Sequence, residues 1–265
     1  MAAGAAQWSI QHHERPVMSN DVVSFVLLSH EQALRRRMDI AANNMANVNT
    51  IGFKREQAAF REEVERVRDA PVPDARNTSF VLDYGVVHDS SPGGFQPTGN
   101  PLDVMIEGPG YLSVDDGSGG TAYTRAGALH VLPDGKLGTT GGRPVFDGAG
   151  RAIDIPADQA AGLAIASDGT VSTNTGPLGR LAVTVFDELR VSSRGDGLSD
   201  GAGGRILTPP ETRLKSRGLE TSNVRPIVET AAMIEIQRAY QSSMDMSASL
   251  DAMRKQAIGR LSRID

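Results

Sequence analysis

Two long segments with helical periodicity, one near each end of the chain, constrain the fold more than any other sequence feature. From about Asp21 to about Asn47, apolar residues recur at spacings of three, four or seven, as one face of an α-helix requires. These residues are Val23, Leu27, Leu34, Met38, Ala41, Met45 and Val48. A helix of about 26 residues is about 39 Å long, which is long for a compact domain and suits packing against a partner helix.

The second periodic segment runs from about Pro226 to Arg260. Proline suits the first turn of a helix, because its missing N–H has no intrahelical partner there. One stripe contains Met233, Ile236, Tyr240, Ser243, Ser247, Leu250, Ala257 and Leu261, and Met244, Met246 and Met253 broaden it. Neither helix can hide its stripe alone. Pairing of the two helices is expected to bury part of this surface, and neighbouring subunits the rest.

Between these segments, from Thr78 to about Leu214, short apolar runs alternate with glycine and proline. Asp-Gly pairs recur between the runs, and their preference for positive φ angles makes them strong hairpin signals. They occur at Asp116-Gly117, Asp134-Gly135, Asp147-Gly148 and Asp168-Gly169. This pattern predicts an antiparallel β body. The flanking segment Phe53–Arg68 is charged and partly helical in pattern, and the glycine-rich segment Ser192–Gly204 is typical of an exposed loop.

The chain is therefore predicted to have an α+β fold. Long N- and C-terminal helices would form a coiled-coil-like core, with a central antiparallel β-rich domain between them.

Composition narrows the range of functions. The formal charge of −5 over 265 residues argues against nucleic-acid binding, which normally uses a basic face. The only notable basic run, Arg35–Arg37, suits a solvated helix face. Without cysteine, the chain has neither disulfides nor thiolate metal ligands. No stretch approaches the roughly 20 apolar residues of a membrane span, so direct membrane insertion is not expected.

No catalytic motif is present in the sequence. Gly135-Lys136 lacks the remainder of a P-loop, and Gly108-Pro109-Gly110 precedes a predicted strand rather than the helix of a dinucleotide fingerprint. No serine lies in a Gly-x-Ser-x-Gly elbow, and the histidines lack metal-ligand spacing. We therefore predict no catalytic, cofactor-binding or metal site, no cofactor, and no enzymatic activity.

Three segments together resemble the axial proteins of the bacterial flagellum, which form the rod, hook and hook junctions. The first is Ala41–Lys54 (AANNMANVNTIGFK). The second is Thr98–Tyr111 (TGNPLDVMIEGPGY), followed by Ala122–Gly127 (AYTRAG) and Asp134–Leu137 (DGKL). The third is Leu219–Pro226 (LETSNVRP), followed by Met233–Tyr240 (MIEIQRAY). Chain length leaves the distal-rod protein and the proximal-rod protein that resembles it. The segment Met38–Asn44 and the short connection before Asp83–Gly85 look more like the proximal-rod protein.

The resemblance implies a structural subunit of the basal-body rod. Such a subunit polymerises helically through its terminal helices, transmits torque and encloses the export channel. Its implied partners are itself, other proximal and distal rod proteins and the type III export apparatus. The implied location is the periplasmic rod of the basal body, reached without a cleaved Sec signal. The alternatives are a distal-rod or hook-type subunit, or, in a different class, an extracytoplasmic coiled-coil oligomer whose β domain binds a ligand.

On this reading the chain has four parts. Residues 1–17 are a disordered leader, or follow from a start codon read upstream of Met18. Residues 18–77 form the N-terminal polymerisation helix and connector, residues 78–215 the β-rich domain, and residues 216–265 the C-terminal polymerisation helix. Asn43, Asn44 and Asn47 serve either to cap the N-terminal helix and form the turn after it, or to fix the register between subunits. The expected assembly interface comprises Leu27, Leu34, Met38, Ala41, Asn43, Asn44, Met45, Asn47, Gly52, Phe53, Ile236, Gln237, Tyr240, Leu250 and Met253.

Overall fold

A computed structural model describes residues 19–66, 77–187 and 191–261. Its elements run helix, strands, helix along the chain. Helix α1 spans Ser19–Ala46 and helix α2 spans Pro226–Leu261, close to the predicted bounds. Residues 1–17, predicted to be a leader or a misread start, lie outside the described residues. Within the described residues, no helix is long and apolar enough to cross a bilayer.

Antiparallel strands fill the chain between the helices, as the Asp-Gly pattern predicted. The first nine strands are β1 (Glu56–Arg66), β2 (Asn77–His88), β3 (Phe95–Pro97), β4 (Val104–Ile106), β5 (Tyr111–Asp115), β6 (Thr121–Thr124), β7 (Leu129–Val131), β8 (Leu137–Thr139) and β9 (Ala164–Ile165). A 3₁₀ helix at Ala157–Gly162 precedes β9. The remaining strands are β10 (Thr170–Thr173), β11 (Gly176–Arg180), β12 (Val183–Val185), β13 (Val191–Gly195), β14 (Leu198–Gly201), β15 (Arg205–Ile206), β16 (Leu214–Ser216) and β17 (Gly218–Glu220).

The strands form one larger sheet and several small ones. The six-stranded sheet has the order β13-β14-β6-β5-β12-β15, and a three-stranded sheet has the order β11-β10-β9. Strands β1–β2, β16–β4, β17–β3 and β7–β8 pair as two-stranded sheets. The strands that precede α2 therefore pair with the strands that follow β2, which brings the two ends of the β body together.

The hydrophobic core lies inside the β body. Its fully buried members lie on or beside strands that are buried at successive residues, such as β4, β5 and β8, so both faces of these strands are covered. They include Val104, Leu112, Val114, Leu129, Leu137, Val145, Val171, Leu181 and Val183.

The predicted coiled-coil-like core of terminal helices is wrong. Helices α1 and α2 lie antiparallel, but polar side chains link them at several points. Arg35 donates to the Tyr240 hydroxyl at 2.8 Å, Ser243 contacts Glu31, and Arg254 donates to Ser24. Small and polar residues in the α2 stripe supply too little apolar surface for a helix-based core, so the β body supplies the core instead.

Two local predictions also failed. The segment predicted to be partly helical after Phe53 is strand β1, which pairs antiparallel with β2 from Glu56↔His88 to Arg66↔Asn77. The predicted loop at Ser192–Gly204 contains most of the β13–β14 hairpin, whose turn places Asp196 at φ +54°. Its residues are mostly exposed, which is why their composition resembles that of a loop.

Candidate functional site

The three sequence segments that resemble axial proteins meet at one place, where the chain leaving α1 crosses β17. We call this place the junction. It comprises Asn44, Gly52, Lys54, Arg55, Glu56, Arg125, Glu220, Asn223 and Glu229. Five residues lie between Glu220 and the first residue of α2, and five between Ala46 and Gly52, so both helices depart from the junction by short connections.

Gly52 lets the N-terminal segment pass directly against the β body. Its φ is +70°, a left-handed conformation that favours glycine. A Cβ atom at this position would lie 2.5 Å from the carbonyl carbon of Arg125. The Gly52 N–H donates to the carbonyl oxygen of Glu220 at 2.8 Å. A larger residue would therefore force the two segments apart.

A buried carboxylate connects three parts of the chain. Glu220 is 1% exposed, and its Oε1 lies 2.7 Å from Lys54 Nζ and accepts from the Gly93 N–H at 2.9 Å. Its Oε2 accepts from Arg125 Nε at 2.8 Å. Burial opposes ionisation, but Arg125 and Lys54 outweigh it and hold the pKa of Glu220 below its usual value.

The other donors of the two cations are also satisfied. Arg125 donates through Nη1 to the Gly110 carbonyl and through Nη2 to the carbonyls of Ile106 and Gly108, which fixes it in the β body. Lys54 Nζ donates to the Ser91 carbonyl at 2.7 Å. Burial lowers the pKa of Lys54, and Arg125 lowers it further, although Glu220 opposes both effects.

Two asparagines hold the start of β1 from opposite sides. Asn44 is 1% exposed, and its amide accepts from the Glu56 N–H at 2.8 Å and donates to the Glu56 carbonyl at 2.9 Å. Asn223 accepts from the Arg55 N–H at 2.7 Å and donates to the carbonyls of Asp89 and Ser91. The Asn44 amide thus replaces a missing strand neighbour of Glu56, because it presents a donor and an acceptor side by side. The Asn223 amide instead bridges Arg55 to the chain that follows β2.

Acidic side chains complete the junction on the helix side. Glu229, buried in the first turn of α2, accepts from Arg55 Nε at 2.5 Å. Glu56 lies 3.6 Å from His88 and accepts from Asn43 at 2.9 Å. The His88 hydrogen bond is the main cause that lowers the pKa of Glu56, although burial works in the opposite direction.

The asparagine-rich turn after α1 is closed by its own side chains. Asn47 Nδ2 donates to the backbone carbonyl of Asn43 at 2.9 Å, and its Oδ1 accepts from the Thr50 hydroxyl at 3.1 Å. In this chain Asn47 therefore makes the capping and turn contacts that the sequence allowed, together with Asn43 and Thr50, whereas Asn44 binds the backbone of Glu56. A role in register between subunits stays a prediction.

The predicted assembly residues fall into three groups by exposure. Buried members are Leu34, Ala41, Asn44, Gly52 and Ile236. Half-buried members are Leu27, Met38, Met45, Asn47, Phe53, Tyr240 and Leu250, and exposed members are Asn43, Gln237 and Met253. The junction contains Asn44 and Gly52, and Asn43 contacts it through Glu56, whereas Leu250 and Met253 lie far along α2.

Sequence reasoning missed the charged residues of the junction. Arg125 and Glu220 lie inside motif segments that were identified, but a single charged residue is normally solvent-exposed, so nothing marked them as buried. Glu229 and Arg55 carry no local signal at all. Only the long-range contact of the segments makes them partners.

Large apolar side chains remain exposed along α2. Ile227 is 85% exposed and Met253 is 55% exposed. The exposed set on this helix is Ile227, Val228, Ile234, Met244, Met246, Met253 and Ile258. Monomeric proteins rarely leave so much apolar surface on one element, and such surface generally marks an interaction site.

The fold and junction define a structural protein whose two terminal helices are fixed to a β body. Family models match three parts of the chain: a flagella basal body rod protein model at residues 29–54, the flagellar hook protein FlgE/F/G D1 domain at 105–173, and the flagellar basal body rod FlgEFG protein C-terminal model at 215–260. The matched regions contain most of the junction.

Whole proteins resemble the chain as well. It is 35% identical over 249 residues to the flagellar basal-body rod protein FlgF of Caulobacter vibrioides, covering 92% of this chain and 100% of that protein. It is 31% identical to the rod protein FlgG of Agrobacterium fabrum, covering 83% and 92%, and 32% identical to FlgF of Salmonella typhimurium, covering 80% and 87%. The chain belongs to the family of flagellar basal-body rod proteins and is of the proximal-rod type.

Family membership confirms the predicted resemblance, the structural role in the rod and in motility, and the basal-body location. It also confirms that the chain is not an enzyme, since these relatives are structural rod proteins. Rod subunits assemble with other rod proteins and with copies of themselves.

Proposed function

We propose that this rod subunit polymerises helically through its two terminal helices, transmits torque and encloses the export channel. The exposed apolar side chains of α2 carry the proposal. The helix is fixed to the β body at its start by Glu229, but Ile227, Met246 and Met253 are exposed in the isolated chain. Burial of apolar area contributes about 25 cal/mol per Å², so contact with neighbouring subunits would stabilise assembly.

The predicted interface residues divide naturally within this proposal. Six of them are available to neighbouring subunits: the half-buried Leu27, Met38, Tyr240 and Leu250, and the exposed Gln237 and Met253. The buried members support the interface from beneath by fixing the helices. In the same proposal, residues 18–77 and 216–265 are the polymerising segments and residues 78–215 form the body.

We also propose that the chain reaches the periplasmic part of the basal body through the flagellar type III export apparatus, without a cleaved Sec signal. The export route used by axial proteins of the flagellum supports this step. Proximal and distal rod proteins are the proposed neighbours in the assembled rod.

A double substitution on α2 tests the interface directly. Met246→Asp combined with Met253→Asp places two charges on surface that is exposed in the isolated chain, so its thermal unfolding should match the wild type. In the assembled rod these charges would be buried without partners, which is strongly unfavourable. Cells carrying the variant should lose swimming, and their purified basal bodies should lack a complete rod.

Ile206→Asp is the matched control, because it changes an exposed apolar residue outside the helices. It should leave swimming intact. Normal swimming of the double variant, at wild-type subunit levels, would show that the exposed face of α2 is not an assembly surface.

A further inference from the structure

Glu220 bonds through its carboxylate to segments from both the N-terminal part and the middle of the chain. Its carboxylate pairs with Lys54 and Arg125 and accepts from Gly93, while its backbone carbonyl accepts from Gly52. Lys54 and Arg125 side chains are each 4% exposed. Two buried cations therefore share one buried anion.

We propose that Glu220 is a positioning residue that couples the two terminal segments, so that they dock onto the β body together or not at all. If the segment around Lys54 leaves, Glu220 loses one cation and the backbone bond from Gly52. If β17 leaves, Lys54 and Arg125 lose their anion and face each other as like charges. Each departure weakens the hold on the other segment, because an uncompensated buried charge is strongly unfavourable.

The β body itself does not depend on this carboxylate. Arg125 keeps its bonds to the carbonyls of Ile106, Gly108 and Gly110 when Glu220 is neutral. The core residues lie among the sheets rather than at the junction. Loss of the Glu220 charge should therefore release the terminal segments and leave the β body folded.

The close approach at Gly52 makes the coupling steric as well as electrostatic. The N-terminal segment fits only with its backbone against that of Arg125, and Gly93 similarly approaches the Thr221 carbonyl, where a Cβ would lie 1.8 Å away. Small shifts of β17 would thus disturb both neighbouring segments. The coupling goes beyond the proposed polymerisation and is a property of the isolated chain.

Hydrogen exchange on the purified full-length chain tests this coupling. In Glu220→Gln, which keeps the shape but removes the charge, amides in residues 47–56 and 218–229 should exchange about tenfold faster or more. Amides of β5, β6 and β12 should exchange as in the wild type. Glu211→Gln, which neutralises an exposed carboxylate paired with Arg205, is the matched control and should change none of these rates.

A second variant separates charge from shape. Lys54→Met combined with Glu220→Gln returns the cluster to a net charge of +1, the value with Lys54, Arg125 and Glu220 all ionised. It should restore part of the protection that Glu220→Gln loses. Exchange as fast as in Glu220→Gln alone would overturn the electrostatic role, since a purely structural glutamate would not be rescued by removing a cation.

Lys54→Met alone tests coupling from the other side and keeps Glu220 paired with Arg125. Residues 218–229 should exchange faster although the change lies in the N-terminal segment. Faster exchange confined to residues 47–56 would overturn the proposal. If Glu220→Gln unfolds the whole chain, the independence of the β body is wrong, and Lys54→Met still decides whether the two segments move together.

Discussion

At the scale of single residues, Gly52 combines two requirements that can be separated experimentally. Its φ of +70° favours glycine, and the Arg125 backbone leaves no room for a Cβ. Gly142 has a similar φ of +75° but no atom within 4 Å of a Cβ position. Comparison of alanine at the two positions isolates the close approach.

We expect Gly52→Ala to lower the free energy of opening of the junction, measured by native-state hydrogen exchange, well beyond the effect of conformation alone. Gly142→Ala should destabilise the turn that contains it by only about 1–2 kcal/mol, which is the penalty for a left-handed residue other than glycine. Equal effects at both positions would mean that the backbone of Arg125 can move aside freely.

The same junction predicts a dependence on pH. The pKa of Glu220 is lower in the folded chain than the ordinary pKa of a glutamate, because Arg125 and Lys54 outweigh the burial that opposes ionisation. A depressed carboxyl pKa stabilises the folded state above the unfolded pKa, and this stability is lost as the pH falls through the folded pKa.

We therefore expect opening of residues 47–56 and 218–229 to become easier as the pH falls below about 4.5, the ordinary pKa of a glutamate carboxyl. Glu220→Gln should flatten this dependence, although Glu56, whose pKa is also lowered, retains part of it. Hydrogen exchange corrected for intrinsic rates measures both chains, with Glu107→Gln as an exposed control. An unchanged slope in Glu220→Gln would contradict the assignment.

The local sequence predicted the backbone conformation of some residues but not the burial of others. The positive φ angles of Gly117, Gly135 and Gly169 follow from their Asp-Gly pairs, because the turn geometry is set by adjacent residues. At Asp147-Gly148 the left-handed residue is instead Gly150. Burial of Glu220 and Glu229 depends on partners far along the chain, which no local pattern encodes.

At the scale of elements, periodicity located both helices because they are long and regular. Strand β1 was not predicted, because its charged sequence has a helical pattern. Its extended conformation is determined by pairing with β2 and by hydrogen bonds to the amides of Asn44 and Asn223. Tertiary contacts here override local preference. The β13–β14 hairpin was missed for a related reason, since exposed strands rich in glycine lack an apolar alternation.

The contact between α1 and α2 depends on a small residue. Ser243 is 5% exposed and contacts Glu31, so the helices approach closely at this point. Ser243→Leu should overpack the contact and destabilise the helix pair by about 1–3 kcal/mol. Thermal unfolding followed by far-ultraviolet circular dichroism measures the change.

Ser249→Leu provides the comparison, because Ser249 is exposed on the same helix. It should leave the helix transition nearly unchanged. A similar loss in both variants would indicate that leucine disturbs α2 itself rather than its contact with α1.

At the scale of the whole molecule, the β body holds the core and the helices are attached to it. The sequence predicted the antiparallel β body but assigned the core to the helices, because their stripes are the longest apolar pattern in the chain. The composition of those stripes explains the error. Serine and alanine alternate with the larger residues, and polar contacts such as Arg35–Tyr240 link the pair.

Removal of residues 227–265 should therefore leave the β body folded while abolishing swimming. The truncated chain should retain a cooperative unfolding transition with a strand-dominated dichroism spectrum. Truncation after Ile206 is the control, because it also removes β16 and the core residue Leu214, and it should unfold the body. Loss of the transition in the shorter deletion would show that the core needs α2.

The buried charges and amides that fix both helices have a thermal consequence. Hydration of these polar groups when the helices detach lowers the heat capacity, whereas melting of the β core hydrates apolar groups, which raise it. This polar part of the attachment should thus lack the loss of strength on cooling that is characteristic of apolar cores. At low temperature the polar contacts should therefore still hold the two helices on the β body, even where hydrophobic stabilisation is weakened.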